Sequence, residues 1–331
     1  MNLSTSYLGL DLANPLVVGA SPLVERIDTV KRLEDAGAAA VVMHSLFEEQ
    51  LRGELEALER EVEQRTESFA EALTYLPRVS ELKFHLGPDE YLEHLRRLKG
   101  AVSIPVIGSL NGVSSGGWID YARNIQEAGA DALELNAYSL AADPKDTGAA
   151  TEKRVVDAVR AVKGAVTIPV AVKLSPFYSS LPHVIRQLEG AGADGAVLFN
   201  RFYQPDIDVE KAEVVSTLAL SDSSDLLLRL RWVAILSGRV KLSLGVTGGV
   251  HTAVDAVKAL MAGADAVQLV SALLQHGPSR LAKVREDLSR WLDQSGYDSL
   301  GELRGCLNLS RVSDPSAYER ANYLTVLHGR A

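Results

Sequence analysis

The sequence predicts an α/β fold, a single closed (β/α)8 barrel, and three observations carry that expectation. Eight short apolar runs recur along the 331 residues, helical patterns separate them, and one junction repeats four times. The runs are "PLVVGAS" (15–21), "AAVVMHS" (39–45), "VIGSLN" (106–111), "ALELNAYS" (132–139), "VAVKLSP" (170–176), "GAVLFNRF" (195–202), "LSLGVTGG" (242–249) and "AVQLVSAL" (266–273). Most are nearly continuous in apolar residues, as parallel strands covered on both faces should be.

The repeated junction appears as "DAGAAAV" (35–41), "EAGADAL" (127–133), "GAGADGAV" (190–197) and "MAGADAVQL" (261–269). Each glycine is expected to end a helix in the left-handed region, and the small residues after it let the chain turn into the next strand. A second element, "SIPVIGSLN" (103–111), returns as "TIPVAVKLS" (167–175). Repeated strand–helix units with eight strands favour closure over an open doubly wound sheet. The open sheet also lacks its usual G-x-G-x-x-G or Walker-type loop here.

Two connections are long, so insertions are expected after strands 2 and 6. Residues 46–102 contain the charged stretch "FEEQLRGELEALEREVEQRTESF", either a solvated helix laced by i,i+4 pairs or a lid. Residues 203–239 run through "LLLRLRWVAILSG" and are expected to cap the barrel mouth. The expected division is a barrel over 1–305 and a tail over 306–331 that packs on the barrel or on a second subunit.

Composition narrows the function. Hydrophobic residues make up 47% and charged residues 23%, enough to fill a large core. A net charge of −9 argues against nucleic acid as a partner, since phosphate neutralisation needs a basic face. No apolar run approaches the roughly 18 residues of a membrane span, and the start shows no secretory pattern, so a cytoplasmic protein is expected. The single cysteine, Cys306, excludes a disulfide framework and a cluster ligated by this chain alone. The seven histidines show no ligand spacing such as H-E-x-x-H, so no metal is expected.

In a barrel of this kind the working groups lie at the C-terminal strand ends. Reading those ends gives Ser21, His44, Ser45, Asn111, Asn136, Ser139, Lys173, Asn200, Gly248, Gly249 and Ser271. Buried polar groups without partners cost about 1–3 kcal/mol each, so such a ring suggests a polar ligand. "GVTGGVHTAVDAV" sets two glycines before a helix capped by Thr252 and Asp255, an arrangement suited to a phosphate. Lys173 alternates with apolar residues and should point inward, either as an ion pair with Glu134, as a cation for a bound cofactor, or as both.

The stretches "NPLVVGAS", "LELNAYS", "VAVKLSP", "LFN" and "GVTGGVHTAVDAVKALMAGADAVQLVSALLQHGP" resemble dihydroorotate dehydrogenases, FMN-containing barrel flavoproteins of pyrimidine metabolism. The resemblance runs from residue 14 to about residue 297 and looks like the soluble class. It implies Ala20 and Ser21 under the flavin, and His44 and Ser45 beside it. Asn111, Asn136 and Lys173 would face the polar edge of the ring, with Asn200 near flavin and substrate. Gly248, Gly249, Val270 and Ser271 would surround the phosphate. Ser139 stands where the family carries its catalytic base and would need a proton relay, or it is a loop serine with a local backbone bond. Tyr138 is the other candidate proton donor, or it packs on the mouth. Asn136, Asn200 and Arg201 are the candidate substrate contacts. A homodimer and an electron-transfer partner protein are also implied.

Departures from the family pattern bear on the substrate. His44 replaces a lysine, Leu140-Ala141 replaces Pro-Asn, and "ELKFHLGPDEYL" stands where an asparagine-bearing loop belongs. The region of "LLLRLRW" replaces a glycine pair. Losing two side-chain amides weighs against dihydroorotate itself; dihydroorotate or another dihydropyrimidine is the substrate class the resemblance implies. Two alternatives remain: a flavin-binding subunit without its own dihydroorotate chemistry, and a non-redox phosphate-binding isomerase or lyase.

Overall fold

The computed structural model describes residues 2–47, 88–111, 117–137, 140–201, 204–216 and 219–320. Eight strands form the barrel: β1 Leu16–Val18, β2 Ala40–Val42, β3 Val106–Asn111, β4 Ala132–Asn136, β5 Val170–Leu174, β6 Gly195–Leu198, β7 Ser243–Thr247 and β8 Ala266–Leu269. Each pairs in parallel with its sequence neighbour, and β8 pairs with β1, so the sheet closes. The protein is a (β/α)8 TIM barrel.

One main helix follows each strand: α1 Ile27–Asp35, α2 Pro88–Lys99, α3 Gly117–Glu127, α4 Gly148–Lys163, α5 Leu181–Gly190, α6 Leu226–Leu236, α7 Ala253–Ala262 and α8 Ser279–Ser295. Their buried stripes, such as Val155, Val159 and Val162 of α4, meet the outward strand residues in one continuous apolar layer. A second, smaller apolar cluster fills the barrel itself. It joins Val17, Val42, Ile107, Ala132, Ala171, Val197 and Ala266 to Tyr7, Leu8 and Leu12. The last three come from an antiparallel hairpin, Thr5–Tyr7 with Leu10–Leu12, that plugs the N-terminal end. Gly245 leaves room for this plug, since a Cβ there would sit 2.9 Å from the Tyr7 hydroxyl.

The repeated junction has a physical cause. Gly37, Gly129, Gly192 and Gly263 all adopt positive φ, between 95° and 118°, ending their helices as the sequence predicts. The aspartate that follows three of them does a further job. Asp131 Oδ2 accepts from the Val106 amide at 2.6 Å, Asp194 Oδ2 from Val170 at 2.8 Å, and Asp265 Oδ2 from Leu244 at 2.7 Å. Each aspartate thus satisfies an amide at or beside the start of the preceding strand. The first junction has alanine in that place, and Asn14 Oδ1 accepts from the Leu16 amide instead. The paired "SIP" and "TIP" elements match in the same way: Ser103 donates to Glu34 and Thr167 to Gln126, each acceptor lying three residues before its glycine.

Several strand ends differ from the sequence reading. The sixth run stops at Leu198, and the eighth stops at Leu269. Val270 turns the chain, and Ser271 opens a short helix, Ser271–His276, rather than ending a strand. The second run breaks after Val42, and Leu46–Phe47 then pairs with β3 as a separate short strand. The polar residues at these ends have no ladder partner to hold them extended. "LLLRLRWVAIL" does not cap the mouth but forms α6 in the helical ring, with Leu226, Val233, Ala234 and Leu236 buried. The connection before it carries an antiparallel hairpin, Pro205–Asp208 with Glu213–Ser216. The charged stretch after the second strand lies outside the described residues apart from Leu46 and Phe47. Residues 305–309 return onto the ring, where the Leu307 and Leu309 amides donate to Met261 and Ala234.

Candidate active site

Side chains alternate along a strand, so residues two apart share the interior face. On β4 these are Ala132, Glu134 and Asn136; on β5 they are Ala171 and Lys173; on β3 they are Ile107, Ser109 and Asn111. The alanines and Ile107 belong to the apolar lower layer, and the polar residues rise above it toward the C-terminal end. The register places Asn111 beside Asn136, and Asn136 beside Lys173, in one row across three strands.

Below that row lies a buried ionic node. Lys173 Nζ donates to Glu134 Oε1 at 2.7 Å, and Gln268 Nε2 donates to Glu134 Oε2 at 2.7 Å. Glu134 and Gln268 are each 1% exposed and Lys173 is 6% exposed. Each carboxylate oxygen therefore has its own donor, the condition under which a buried charge is tolerated. Lys173 makes this one hydrogen bond among the described residues, and an ammonium carries three donors, so two remain for a ligand. The internal ion pair and the free donors coexist. Because a carboxylate only accepts, it fixes the Gln268 amide with Nε2 toward Glu134, leaving Oε1 without a partner.

Other orphaned atoms gather at the upper end. Ser21 Oγ, Asn136 Oδ1 and His44 Nδ1 are buried without a hydrogen bond among the described residues. Ser21 follows Gly19 and Ala20, and the Gly19 amide donates to Leu269 at 3.1 Å, which brings this loop against Val270. A Cβ at Gly19 would lie 2.7 Å from Val270 Cγ2, so the backbone approach requires glycine. Ser45 shares a hydrogen bond of 2.8 Å with Ser109, whose amide in turn donates to the Tyr91 hydroxyl. The His44 ring meets Tyr91 edge-on with centroids 5.1 Å apart. Burial, and secondarily the neighbouring His94, push the His44 pKa down to about 4, so this imidazole is neutral at pH 7. It supplies no fixed cation at the end of the second strand.

The opposite wall is built from the β7 and β8 ends. Gly248 and Gly249 both have φ of +84°, and a Cβ on Gly249 would fall 2.4 Å from the Leu226 amide. The Thr252–Asp255 capping box forms as expected and starts α7 directly after this turn. Asp255 also accepts from His251 and from the Ser223 hydroxyl, tying the loop before α6 to the turn. Ser221 crosses between the two strand ends, donating its amide to Ser271 Oγ at 3.1 Å and accepting from the Gly249 amide at 3.2 Å. Asn200 follows a cis Leu198–Phe199 peptide, and its amide donates to Leu174 at 2.8 Å. Arg201 stands next to it, half-buried. The candidate bases Tyr138 and Ser139 lie outside the described residues.

The structure thus gathers Ser21, His44, Ser45, Asn111, Asn136, Lys173, Asn200, Gly248, Gly249, Val270 and Ser271 around one end of the barrel. Sequence reasoning did not single out Gln268, Ser109, Tyr91, Ser221 or Arg229. Gln268 was legible in principle, as a lone amide inside the apolar run "AVQLV".

The dihydroorotate dehydrogenase family profile matches residues 82–292, most of the barrel. The chain belongs to the dihydroorotate dehydrogenase family. This family comprises oxidoreductases acting on CH–CH bonds. The catalytic subunit of dihydroorotate dehydrogenase B (NAD(+)) from Thermoplasma acidophilum is 29% identical over 316 residues, covering 92% of this chain and 98% of that one. The corresponding subunit from Pyrococcus abyssi is 28% identical over 320 residues, with the same coverage. The NAD-dependent dihydropyrimidine dehydrogenase subunit PreA of Escherichia coli is 26% identical over 331 residues, covering 93% of this chain and 77% of that protein. Among the described residues no helix is long and apolar enough to cross a membrane.

Proposed function

We propose that this family member is an FMN-dependent oxidoreductase that moves a hydride between the flavin and a C–C bond of a dihydropyrimidine-like substrate. The observation that carries the reading is Lys173, held by Glu134 and Gln268 in a row with Asn111 and Asn136 and keeping two donors free. The residues present fit FMN. Asn136 Oδ1 and Ser21 Oγ are orphaned where a heterocycle with both donors and acceptors would satisfy them. The Gly248–Gly249 turn leads directly into the N-terminus of α7 and, with Ser271, presents only small side chains to a phosphate.

When bound, FMN supplies a two-electron carrier that accepts or returns hydride. Lys173 would stabilise negative charge developing on the polar edge of the ring, and Asn111 and Asn136 would orient that edge. Asn200 and Arg201 would hold the substrate, Arg201 through a carboxylate or carbonyl oxygen. Ser139 or Tyr138 would handle the proton at the substrate carbon. A base with a pKa near neutral is needed there, which the His44 imidazole, pushed down to about 4, does not supply.

The experiment is a visible spectrum of the purified protein, with the released chromophore identified by chromatography, followed by anaerobic titration with dihydropyrimidines. A flavin spectrum, FMN on release and bleaching by a dihydropyrimidine are expected. A colourless protein that does not take up added FMN would overturn the reading in favour of a non-redox phosphate barrel. The relatives, a catalytic subunit and a dehydrogenase subunit, support a second reading: a flavin subunit that passes electrons to a partner protein. That version gives a yellow protein that bleaches or turns over only with the partner present. Assembly as a homodimer is part of the same proposal.

A further inference from the structure

Arg229, in the first turn of α6, is 8% exposed. Its Nε donates to the Thr247 carbonyl at 2.9 Å and its Nη1 to the Asp225 carbonyl at 2.5 Å. Both anchors are neutral backbone groups, and no carboxylate forms an ion pair with it among the described residues. The third nitrogen, Nη2, lies against Gly248, where a Cβ would come within 2.9 Å of it. The guanidinium is thus fixed by two points with its remaining edge at the glycine turn.

This placement is unfavourable in the protein alone. A guanidinium does not deprotonate in a protein, so its charge remains when buried, and a buried charge without a counter-ion is costly. Burial first pushes Arg229 below its usual pKa; Asp225 opposes that shift, and the like charge of Arg201 adds to it. A buried cation is thus held at the end of β7 without an ion pair among the described residues. Tying α6 to β7 would not require a charge. An anionic group brought by a ligand would supply the missing counter-charge, and the turn beside Arg229 is built of two glycines with no side chains to block it.

We propose that Arg229 is the counter-ion for a ligand phosphate at the Gly248–Gly249 turn and sets a preference for a phosphorylated over a non-phosphorylated ligand. The inference deepens the FMN reading and rests on it for the identity of the ligand.

The test compares FMN with riboflavin by fluorescence titration of flavin-stripped protein, for the wild type, Arg229→Met and Arg229→Lys. Stabilisation by inorganic phosphate is followed in parallel by thermal shift at constant ionic strength. Arg229→Met should lose FMN affinity by tenfold or more, leave riboflavin affinity unchanged and lose the phosphate shift. Arg229→Lys should fall between, and should give the readout if Arg229→Met does not fold. Equal losses for FMN and riboflavin, or no loss for either, would overturn the proposal. If the wild type binds neither flavin but still shows a phosphate shift that Arg229→Met abolishes, the anion site stands and the FMN reading fails.

Discussion

At the N-terminal end of the barrel, Tyr7, Leu8 and Leu12 pack on Val17, Ala132, Ala171 and Ala266, and a hairpin closes the floor. Two residues further along the same strands, the interior face carries Glu134, Lys173 and Gln268 in place of alanine, and Asn136 follows two residues beyond Glu134. The same alternation and the same strands therefore serve two purposes. The lower layer buries small apolar groups and contributes stability at about 25 cal/mol per Å² removed from water. The upper layer holds charges and orphaned acceptors that cost stability unless a ligand completes them. Tyr7 marks the border: its hydroxyl is buried without a partner among the described residues, and burial, with Glu134 and Asp265 adding, pushes its pKa up.

The sharpest way to break this division is at the ionic node. Glu134→Leu leaves the Lys173 ammonium buried and unpaired, and should cost about 3–5 kcal/mol of unfolding free energy. The double variant Glu134→Leu/Lys173→Met should recover most of that loss, because it removes both charges together. Chemical denaturation of the four proteins as a double-mutant cycle measures the coupling. A double variant no more stable than Glu134→Leu would show that the pair does not compensate itself.

A cut at the floor should behave differently. Leu12→Ala empties space beneath the node and should cost about 2–4 kcal/mol, by lost transfer and a residual cavity. Flavin affinity of the folded protein should stay within about twofold, since Leu12 lies in the lower layer. A tenfold loss of affinity with the fold intact would mean that floor and mouth are coupled, and the two-layer description would fail.

The mouth also sets a pH dependence. The His44 pKa is depressed from 6.5 to about 4 in the folded protein. Between those values the unfolded chain binds the proton and the native protein does not, so stability rises with pH. The His44 contribution is complete above about pH 6.5, and it is lost as pH falls through the window down to about 4. At roughly 1.4 kcal/mol per pKa unit the full loss over this window is on the order of 3 kcal/mol. Unfolding curves at pH 7.0, 5.5 and 4.5 for the wild type and His44→Gln should diverge accordingly, the variant lacking this slope. Parallel slopes would show that His44 is protonated equally in both states.

Much of this architecture was legible because it repeats. The AGAD junctions fix where helices end and strands begin, and four glycines with the same sign of φ follow from that pattern. The polar ring was legible because Asn136 and Lys173 interrupt apolar runs at positions where alternation points them inward. Strand ends were read too long at Asn200 and Ser271 because apolar composition continues past the last ladder bond, and composition does not report pairing. α6 was missed because "LLLRLRWVAIL" is apolar all round rather than on one face, so its period is weak. Arg229 was hidden for the same reason: only the fold brings it against Gly248, nineteen positions along the chain.

The smallest predicted effect on stability separates the layers most directly. Asn136 holds its place through the backbone of β4, and its Oδ1 is buried without a partner among the described residues. An orphaned acceptor costs the native protein about 1 kcal/mol or more, and alanine removes it while leaving only a small gap. Asn136→Ala should therefore leave the unliganded protein equally stable or up to about 1 kcal/mol more stable, against the usual direction for a buried truncation. The same change should weaken flavin binding about tenfold, the equivalent of one hydrogen bond to a ligand of about 1.4 kcal/mol. Denaturation midpoint and flavin affinity, measured on the same preparation, give both numbers. A fall in stability with unchanged affinity would place Asn136 with the floor residues, as part of the packing; a rise in stability with a loss of affinity would show that the upper layer is built for its ligand at the expense of the fold.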